Sequence, residues 1–296
     1  MGPPMGRSGS AVGSVKSRVE PRNPAPGGRM LRLPMRLVTY DRGGHRRLGA
    51  ILEGEVVDLP DAVGHPAFPS TLESLVASSR GSILDAARAA LERDDAWECR
   101  VRRAHILTPL FPSSLISPSA LDVERPIVGP EDEVPWPDDA AWLDYEPMVA
   151  AVLAAETADA APEEIAGQVF GYTLVNDWRA RSTDGAPVER ADGVPLAIGP
   201  CVVTADEVDP QTMFVQVKVD GDELAKGNLN GAAEDLFGLI SEVSRGSVLE
   251  RGDAFALGPF PSPGGDADPS RRLWPGALVE LAAEGVGTLR NRIGGG

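Results

Sequence analysis

The chain has 296 residues, 42% of them hydrophobic, which is enough to build one large domain or two. Its formal net charge is −16, and since residues 1–34 carry +5, the remaining chain carries −21 and is expected to bind neither nucleic acid nor an anionic membrane. No apolar run is long enough to span a bilayer, and no secretory signal is evident. Cys99 and Cys201 lie far apart, so we expect reduced, buried thiols and a cytoplasmic location.

Residues 1–34 are rich in Pro, Gly, Ser and Arg and lack apolar periodicity, which predicts a disordered tail. A contact between this basic tail and an acidic partner is the alternative. Residues 35–104 are predicted to form a small α+β domain. Three short strands separated by Gly-containing turns occupy 35–58, and helices are predicted at 70–79 and 82–95, each of which begins with a sequence that resembles a capping box.

Residues 105–296 are dominated by strand patterns. Two helices interrupt them, one near 161–167 and one within 232–246, where an apolar stripe ends before Gly246. The fold class predicted for the whole chain is therefore α+β and β-rich, with a sandwich or roll as the second domain. The predicted strands are 142–153, 168–176, 199–204, 213–219, 254–257, 277–283 and 286–293.

The chemistry that the sequence can support is narrow. His45, His65 and His105 are isolated, so nothing favours a nucleophile–histidine arrangement, and there is no phosphate-binding loop. What remains is carboxylates on strands. Glu146 interrupts an apolar strand, and Asp177 stands at the end of another, where oxygen ligands for Mg²⁺ or Ca²⁺ are often placed. The alternative is an Asp177–Arg181 pair that caps a turn.

Five blocks of the sequence, in the same order, resemble the fumarylacetoacetate hydrolase superfamily. "VFGYTLVNDWRAR" is similar to its "GytlvNDwsARd" signature, and "LDYEPMVAAVLA" to "DyEvElavVig". "AIGPCVVTADEV", the block from "GNLNGAAEDLF" to "GDAFALGPF", and "LWPGALVELAAEGVGTLRNRI" resemble the later motifs. The resemblance implies a small N-terminal domain at 35–104 and a β-roll catalytic domain at 105–296, usually in a homodimer. It also implies a divalent cation and a small keto-acid or diketo-acid substrate.

The functional residues of the family carry over only in part. The two strand glutamates fall on Glu146, which is kept, and on Met148, which is not a ligand for a hard cation. The ligand aspartate falls on Asp177. The resemblance places Glu124 at the position of the catalytic histidine and Arg190 near that of the lysine.

The resemblance therefore implies Glu124, Asp177 and Arg190 as catalytic residues, and Glu146 and Asp177 as ligands of Mg²⁺ or Mn²⁺. Because Met148 replaces an expected glutamate, this metal is expected to be bound weakly or not at all. Asp138, Asp139 or Asp144, in the acidic segment before the site strand, could replace the lost ligand, and a solvated acidic loop is the alternative.

Two functional hypotheses stay open. The first is a divergent enzyme that acts on an enolisable keto acid or β-dicarbonyl by C–C hydrolysis, decarboxylation, tautomerisation or ring closure, in a specialised biosynthetic step. The second is a non-catalytic member that binds a ligand or serves as an oligomer partner. Tautomerisation needs only proton transfer, which a carboxylate can perform.

Overall fold

Two β-sheets and a layer of helices build the part of the chain that the computed structural model describes, which is residues 35–78, 81–118, 125–188, 193–228, 236–258 and 271–295. The expected disordered tail at 1–34 lies outside these ranges. Within them, no helix combines the length and apolar character that a membrane crossing requires.

The strands are short in the first part of the described chain and long in the middle. They are β1 (Arg36–Asp41), β2 (Arg46–Leu52), β3 (Glu55–Asp58), β4 (Arg100–Val101), β5 (Ile106–Leu107), β6 (Leu115–Ile116), β7 (Ile127–Val128), β8 (Glu133–Val134), β9 (Trp142–Leu153), β10 (Val169–Arg181), β11 (Leu196–Thr204), β12 (Phe214–Val219), β13 (Asp222–Asn228), β14 (Ala254–Leu257), β15 (Leu278–Ala283) and β16 (Gly287–Ile293). The α-helices are α1 (Leu59–Val63), α2 (Leu72–Ser78), α3 (Gly81–Leu91), α4 (Pro162–Ile165) and α5 (Leu236–Ser244).

The larger sheet has 11 described strands, and its main path runs β4-β3-β2-β1-β11-β10-β9-β14-β6, with β5 beside β1 and β7 beside β11. The smaller sheet has five described strands in the order β13-β12-β15-β16-β8. β9 and β10 are long antiparallel neighbours inside the larger sheet, paired from Val169↔Leu153 to Arg181↔Trp142. This pair carries the candidate site.

Two apolar cores lie on the two faces of the larger sheet. One core joins residues of both sheets, such as Tyr172 and Trp178 from the larger and Leu281 from the smaller, and it therefore fills the space between them. The other core packs Met148, Val175 and their neighbours against the helical layer, through residues such as Leu72 of α2. Helices α1 to α3, the larger sheet and the smaller sheet thus form three layers, whereas α4 and α5 contribute to the core that the two sheets share.

The predicted β-rich α+β fold is confirmed by this architecture. β9 has the predicted bounds, and β10 continues five residues beyond the predicted end at 176. The polar edge strand β13 and the five-residue helix α1 were not predicted, because neither has an apolar repeat long enough to identify it. The boundary predicted at residue 104 stays a prediction. β1 to β4, from the segment before it, share the larger sheet with β9 to β11.

The predicted burial of the cysteines is correct for Cys201 and wrong for Cys99, while both are free thiols as expected. Neither thiol is in a disulfide, and Cys201 is buried, where desolvation raises the pKa of its thiol to about 12. Cys99 is only half-buried, because it lies in a short 3₁₀ segment at the surface rather than in a sheet.

Candidate functional site

The register between β9 and β10 places the two predicted acids side by side. Glu146 is directly opposite Asp177, and Asp144 is directly opposite Arg179. Directly opposed residues of an antiparallel pair project from the same face of the sheet. Since alternate residues share a face, Arg181 also lies on this side. We call Asp144, Glu146, Asp177, Arg179 and Arg181 the charged face.

The charged face continues an apolar surface. One step further along the same face, Met148 lies opposite Val175, and both side chains are fully buried in the core under the helices. The face therefore changes from apolar to ionic between Met148 and Glu146. Gly258 packs directly against Met148, because a Cβ added to Gly258 would lie 2.6 Å from the Met148 Cγ and from the Pro147 carbonyl oxygen. Met148 is thus packed as a core residue.

Asp177 is completely buried and is held by two guanidinium groups. Its Oδ1 accepts a hydrogen bond of 2.5 Å from Arg125 Nη1. Its Oδ2 lies 2.6 Å from Arg179 Nη2, an ionic contact whose direction does not make a hydrogen bond. Burying a carboxylate is costly unless its charge is compensated, and two arginines supply that compensation here.

Arg125 ties the charged face to the neighbouring strand. In addition to its bond to Asp177, it donates to three backbone carbonyls, those of Val194 (3.0 Å), Trp178 (2.6 Å) and Pro195 (3.0 Å). Trp178 belongs to β10, and the other two residues lead into β11. Arg125 therefore fixes the end of β10 against the start of β11, which makes it a positioning residue for Asp177.

Glu146 is the acid of this pair that reaches the surface, with 21% of its side chain exposed. Its Oε2 lies 3.6 Å from Arg179 Nη2, and its Oε1 lies 3.9 Å from Arg181 Nη2, which is also 3.4 Å from Asp144 Oδ2. Burial raises the pKa of Glu146, and the negative charges of Asp177 and Asp144 add to this, while Arg179 and Arg181 oppose it. The net result is a pKa above the ordinary glutamate value.

The residues of the charged face do not fit a divalent cation. Three carboxylates (Asp144, Glu146, Asp177) are matched by three guanidinium groups (Arg125, Arg179, Arg181), so the local formal charge is zero. Both oxygens of Asp177 already contact arginine. Among the described residues, no group of three or more His, Cys, Asp or Glu side chains is placed to hold a metal ion. Affinity for a hard cation depends on net ligand charge, and here that charge is cancelled.

Several predicted site residues cannot be placed. Glu124 and Arg190 lie outside the described residues. Of the acids proposed as replacement ligands, Asp144 belongs to the charged face, whereas Asp138 and Asp139 are exposed in a turn before β9. The roles assigned to Glu146 and Asp177 stay predictions.

The alternative of a turn capped by Asp177 is wrong, because β10 continues as a regular strand through Arg181. The three histidines are all exposed. His45 and His65 lie in the segment before the predicted boundary, and His105 lies next to it.

Two arginines of this site were missed from the sequence. Arg125 is 52 residues away from Asp177, and no local pattern signals their contact. Arg179 was detectable. It stands where the quoted family signature "NDwsARd" has a small polar residue, so the change from a serine-like position to a cation was visible in the motif itself.

The sequence matches the family model described as "Fumarylacetoacetate (FAA) hydrolase C-terminal" over residues 115–294, more than half of the chain. A curated relative, the oxaloacetate tautomerase of Bacillus subtilis, is 30% identical over 157 residues, which cover 51% of this chain and 52% of that enzyme. The match thus spans about half the length of that relative.

Solved structures of the same family share the fold. The fumarylacetoacetate hydrolase of Exiguobacterium antarcticum matches with a TM-score of 0.72 and 22% identity, over 88% of this chain and 100% of that one. The maleylpyruvate hydrolase of Sphingobium sp. SYK-6, solved in complex with manganese(II) and pyruvate, matches with a TM-score of 0.69 and 24% identity, over 88% of this chain and 99% of that one. The chain belongs to the fumarylacetoacetate hydrolase family, whose related members are hydrolases and isomerases.

Proposed function

We propose that the protein catalyses keto–enol tautomerisation of an enolisable keto acid, with Glu146 as the proton-transfer group and the arginines of the charged face as the anion-binding groups. The observation that carries this proposal is the placement of a partly exposed carboxylate, Glu146, between the guanidinium groups of Arg179 and Arg181. A keto acid needs both elements, a base for its acidic C–H and positive charge for its carboxylate and developing enolate.

The proposed roles follow from exposure. Glu146 is the group that a substrate can reach, and as a carboxylate it would take the proton from the carbon next to the ketone and deliver it to the enolate oxygen. The reverse transfer, from the enol oxygen to the carbon, would convert the enol to the ketone. Arg179, with 29% of its side chain exposed, would pair with the carboxylate or enolate oxygen. Asp177 is fully buried, so in this proposal it orients Arg179 and exchanges no proton with the substrate.

Tautomerisation suits these residues better than C–C hydrolysis does. Hydrolysis needs a group that activates water, and no histidine is present in the segment where the family resemblance expects one. Proton transfer between carbon and oxygen needs no water. The relative from Bacillus subtilis, whose name is oxaloacetate tautomerase, supports the choice of oxaloacetate as the first substrate to test.

The test is the rate of enol-to-keto conversion of oxaloacetate, followed by the ultraviolet absorbance of the enol and corrected for the spontaneous reaction. We expect the wild-type protein to accelerate this conversion. Glu146→Gln keeps the shape of the side chain and removes the proton acceptor, so we expect kcat to fall by about 100-fold or more.

Glu156→Gln is the matched control, because Glu156 is an exposed acid in the loop that follows the same strand, β9. It is expected to keep wild-type activity. No acceleration by the wild type, with oxaloacetate or with a panel of larger β-keto acids, would favour the non-catalytic hypothesis. Equal rates for the wild type and Glu146→Gln would remove Glu146 from the mechanism.

A further inference from the structure

We propose that Arg179 takes the place of the divalent cation, so that this member of the family supplies the positive charge of its site from its own chain and binds no metal there. The inference goes beyond the proposed function, because it concerns the source of the charge and not the reaction. It predicts a property of the resting protein that can be measured without any substrate.

The contacts of Arg179 are those that a cation between two acids would make. Its Nη2 lies 2.6 Å from Asp177 Oδ2 and 3.6 Å from Glu146 Oε2. A single guanidinium nitrogen therefore contacts both of the acids that this chain retains from the family's metal-binding pattern. A dication shared by the same two oxygens would have to displace this nitrogen. It would also meet the charges of Arg125 and Arg181 on either side.

Two substitutions relative to the quoted family motifs act in the same direction. Met148 stands at the position of a glutamate and removes one negative charge, and Arg179 stands at a serine-like position and adds one positive charge. They lie on one face of adjacent strands, separated by the Glu146–Asp177 pair. Together they change the local charge by two positive units, which equals the charge of the ion that they would replace.

Arg125 and Arg179 hold the same carboxylate but differ in what else they can do. Arg125 gives three of its N–H donors to backbone carbonyls and a fourth to Asp177. Arg179 makes no such backbone bond among the described residues, and 29% of its side chain is exposed. Its guanidinium group therefore keeps donors available for a further oxygen ligand, as an open position on a metal ion would.

The test is a calorimetric titration of Mn²⁺ into the purified full-length protein. We expect no site-specific binding at millimolar Mn²⁺ for the wild type. Arg179→Ser restores the serine-like residue of the motif and frees Asp177 Oδ2, so we expect it to gain a one-to-one Mn²⁺ site. The double variant Met148→Glu with Arg179→Ser is expected to bind at least about tenfold more tightly, since it adds a carboxylate.

Arg179→Lys is the matched control, because it keeps the positive charge and should leave the protein unable to bind Mn²⁺. Asp177→Asn in the Arg179→Ser background should abolish the gained site, which separates it from binding elsewhere on the acidic surface. Thermal denaturation shows which variants fold. If the buried glutamate at position 148 prevents folding, the wild type and Arg179→Ser decide the question.

The proposal is overturned by one-to-one Mn²⁺ binding to the wild type that Asp177→Asn removes. It is overturned equally if a folded Arg179→Ser protein gains no Mn²⁺ site. Neither result depends on turnover, so a negative oxaloacetate assay would count against the proposed function and leave this test intact.

Discussion

Asp58 is a buried carboxylate outside the candidate site that shows how strongly ion pairs shape this protein. It is 3% exposed and accepts hydrogen bonds from Tyr40 Oη (2.5 Å), Arg42 Nη1 (2.6 Å), Arg47 Nε (2.9 Å) and the Asp61 backbone N–H (2.8 Å). Burial alone would raise its pKa, but the bonds from Arg47, Tyr40 and Asp61 outweigh this and hold the pKa below the ordinary aspartate value. The charged form of Asp58 therefore stabilises the folded state.

Asp58→Asn is expected to lower the free energy of unfolding by about 3 kcal/mol at pH 7, because arginines lose their buried partner. A lowered folded-state pKa contributes stability above the unfolded-state value, and this contribution is lost as the pH falls through the folded-state value. The difference between wild type and variant should therefore shrink when the pH is lowered from about 5 to below 3. Urea unfolding at pH 7 and pH 3 measures it.

Asp85→Asn is the control for this prediction. Asp85 has a side chain that is 76% exposed, and it lies 3.9 Å from Arg88, so its removal should cost less than about 0.5 kcal/mol at either pH. A constant difference for Asp58→Asn across the pH range would show that its charge is not what stabilises the fold.

At the same scale, the sequence predicts the acids of the candidate site better than their partners. Glu146 and Asp177 could be paired because each lies in a motif on an apolar strand, and the observed register places them opposite each other. Arg125 could not be found, since its contact with Asp177 depends on how β7 aligns with β11. The sequence could not predict that the carboxylates of this site are matched by an equal number of guanidinium groups. The argument against a metal ion therefore depends on the three-dimensional structure.

Among the elements, β10 has a backbone that is closely constrained near Gly171. It changes register with both neighbours near Gly171, with β9 between Val169 and Gly171 and with β11 between Tyr172 and Leu174. A Cβ added to Gly171 would lie 2.2 Å from the backbone oxygen of Val203. The register shifts decide which residues of β10 project from the charged face, and they occur beside a residue that must lack a side chain.

Gly171→Ala should destabilise the protein by about 1–3 kcal/mol, because the backbone of β11 must shift to admit the methyl group. The midpoint of thermal unfolding measures this. Gly167→Ala is the matched control, since an added Cβ there meets nothing within 4 Å, and it should change the midpoint little. A Gly171→Ala protein as stable as the wild type would show that the two strands separate easily at this point.

The strands were predictable where one or both faces are apolar, as in β9, β11 and β14. The predicted end of β10 is Asn176, because the apolar run stops there and is followed by an alternation of charged and apolar residues from Asp177 to Arg181. In the structure this alternation is the charged face on one side and Trp178 in the core on the other. The functional part of the strand was therefore the part that the apolar pattern could not identify.

For the whole molecule, the two predicted domains are joined through β1. This strand lies between β2 and β11, with Leu37 opposite Ala50 on one side and Val202 on the other. Leu37 is fully buried in the same core as Met148 and Val175. Because the first segment completes both a sheet and a core of the second, we expect the chain from residue 35 onward to unfold in one cooperative transition.

Leu37→Ala tests this cooperativity. Removing a fully buried leucine side chain should cost about 3 kcal/mol. Trp97 lies in the first segment, so the test is made in a Trp97→Phe background. The fluorescence of Trp142 and Trp178, which are buried in the second segment, then reports on that part of the chain, whereas far-ultraviolet circular dichroism reports on all of it. We expect both urea transitions to move to lower denaturant by the same amount. Val248→Ala, at a side chain that is 58% exposed, should leave both unchanged. A fluorescence transition that stays in place while the dichroism transition splits would mean that residues 35–104 unfold independently, and that the boundary predicted at residue 104 separates two domains.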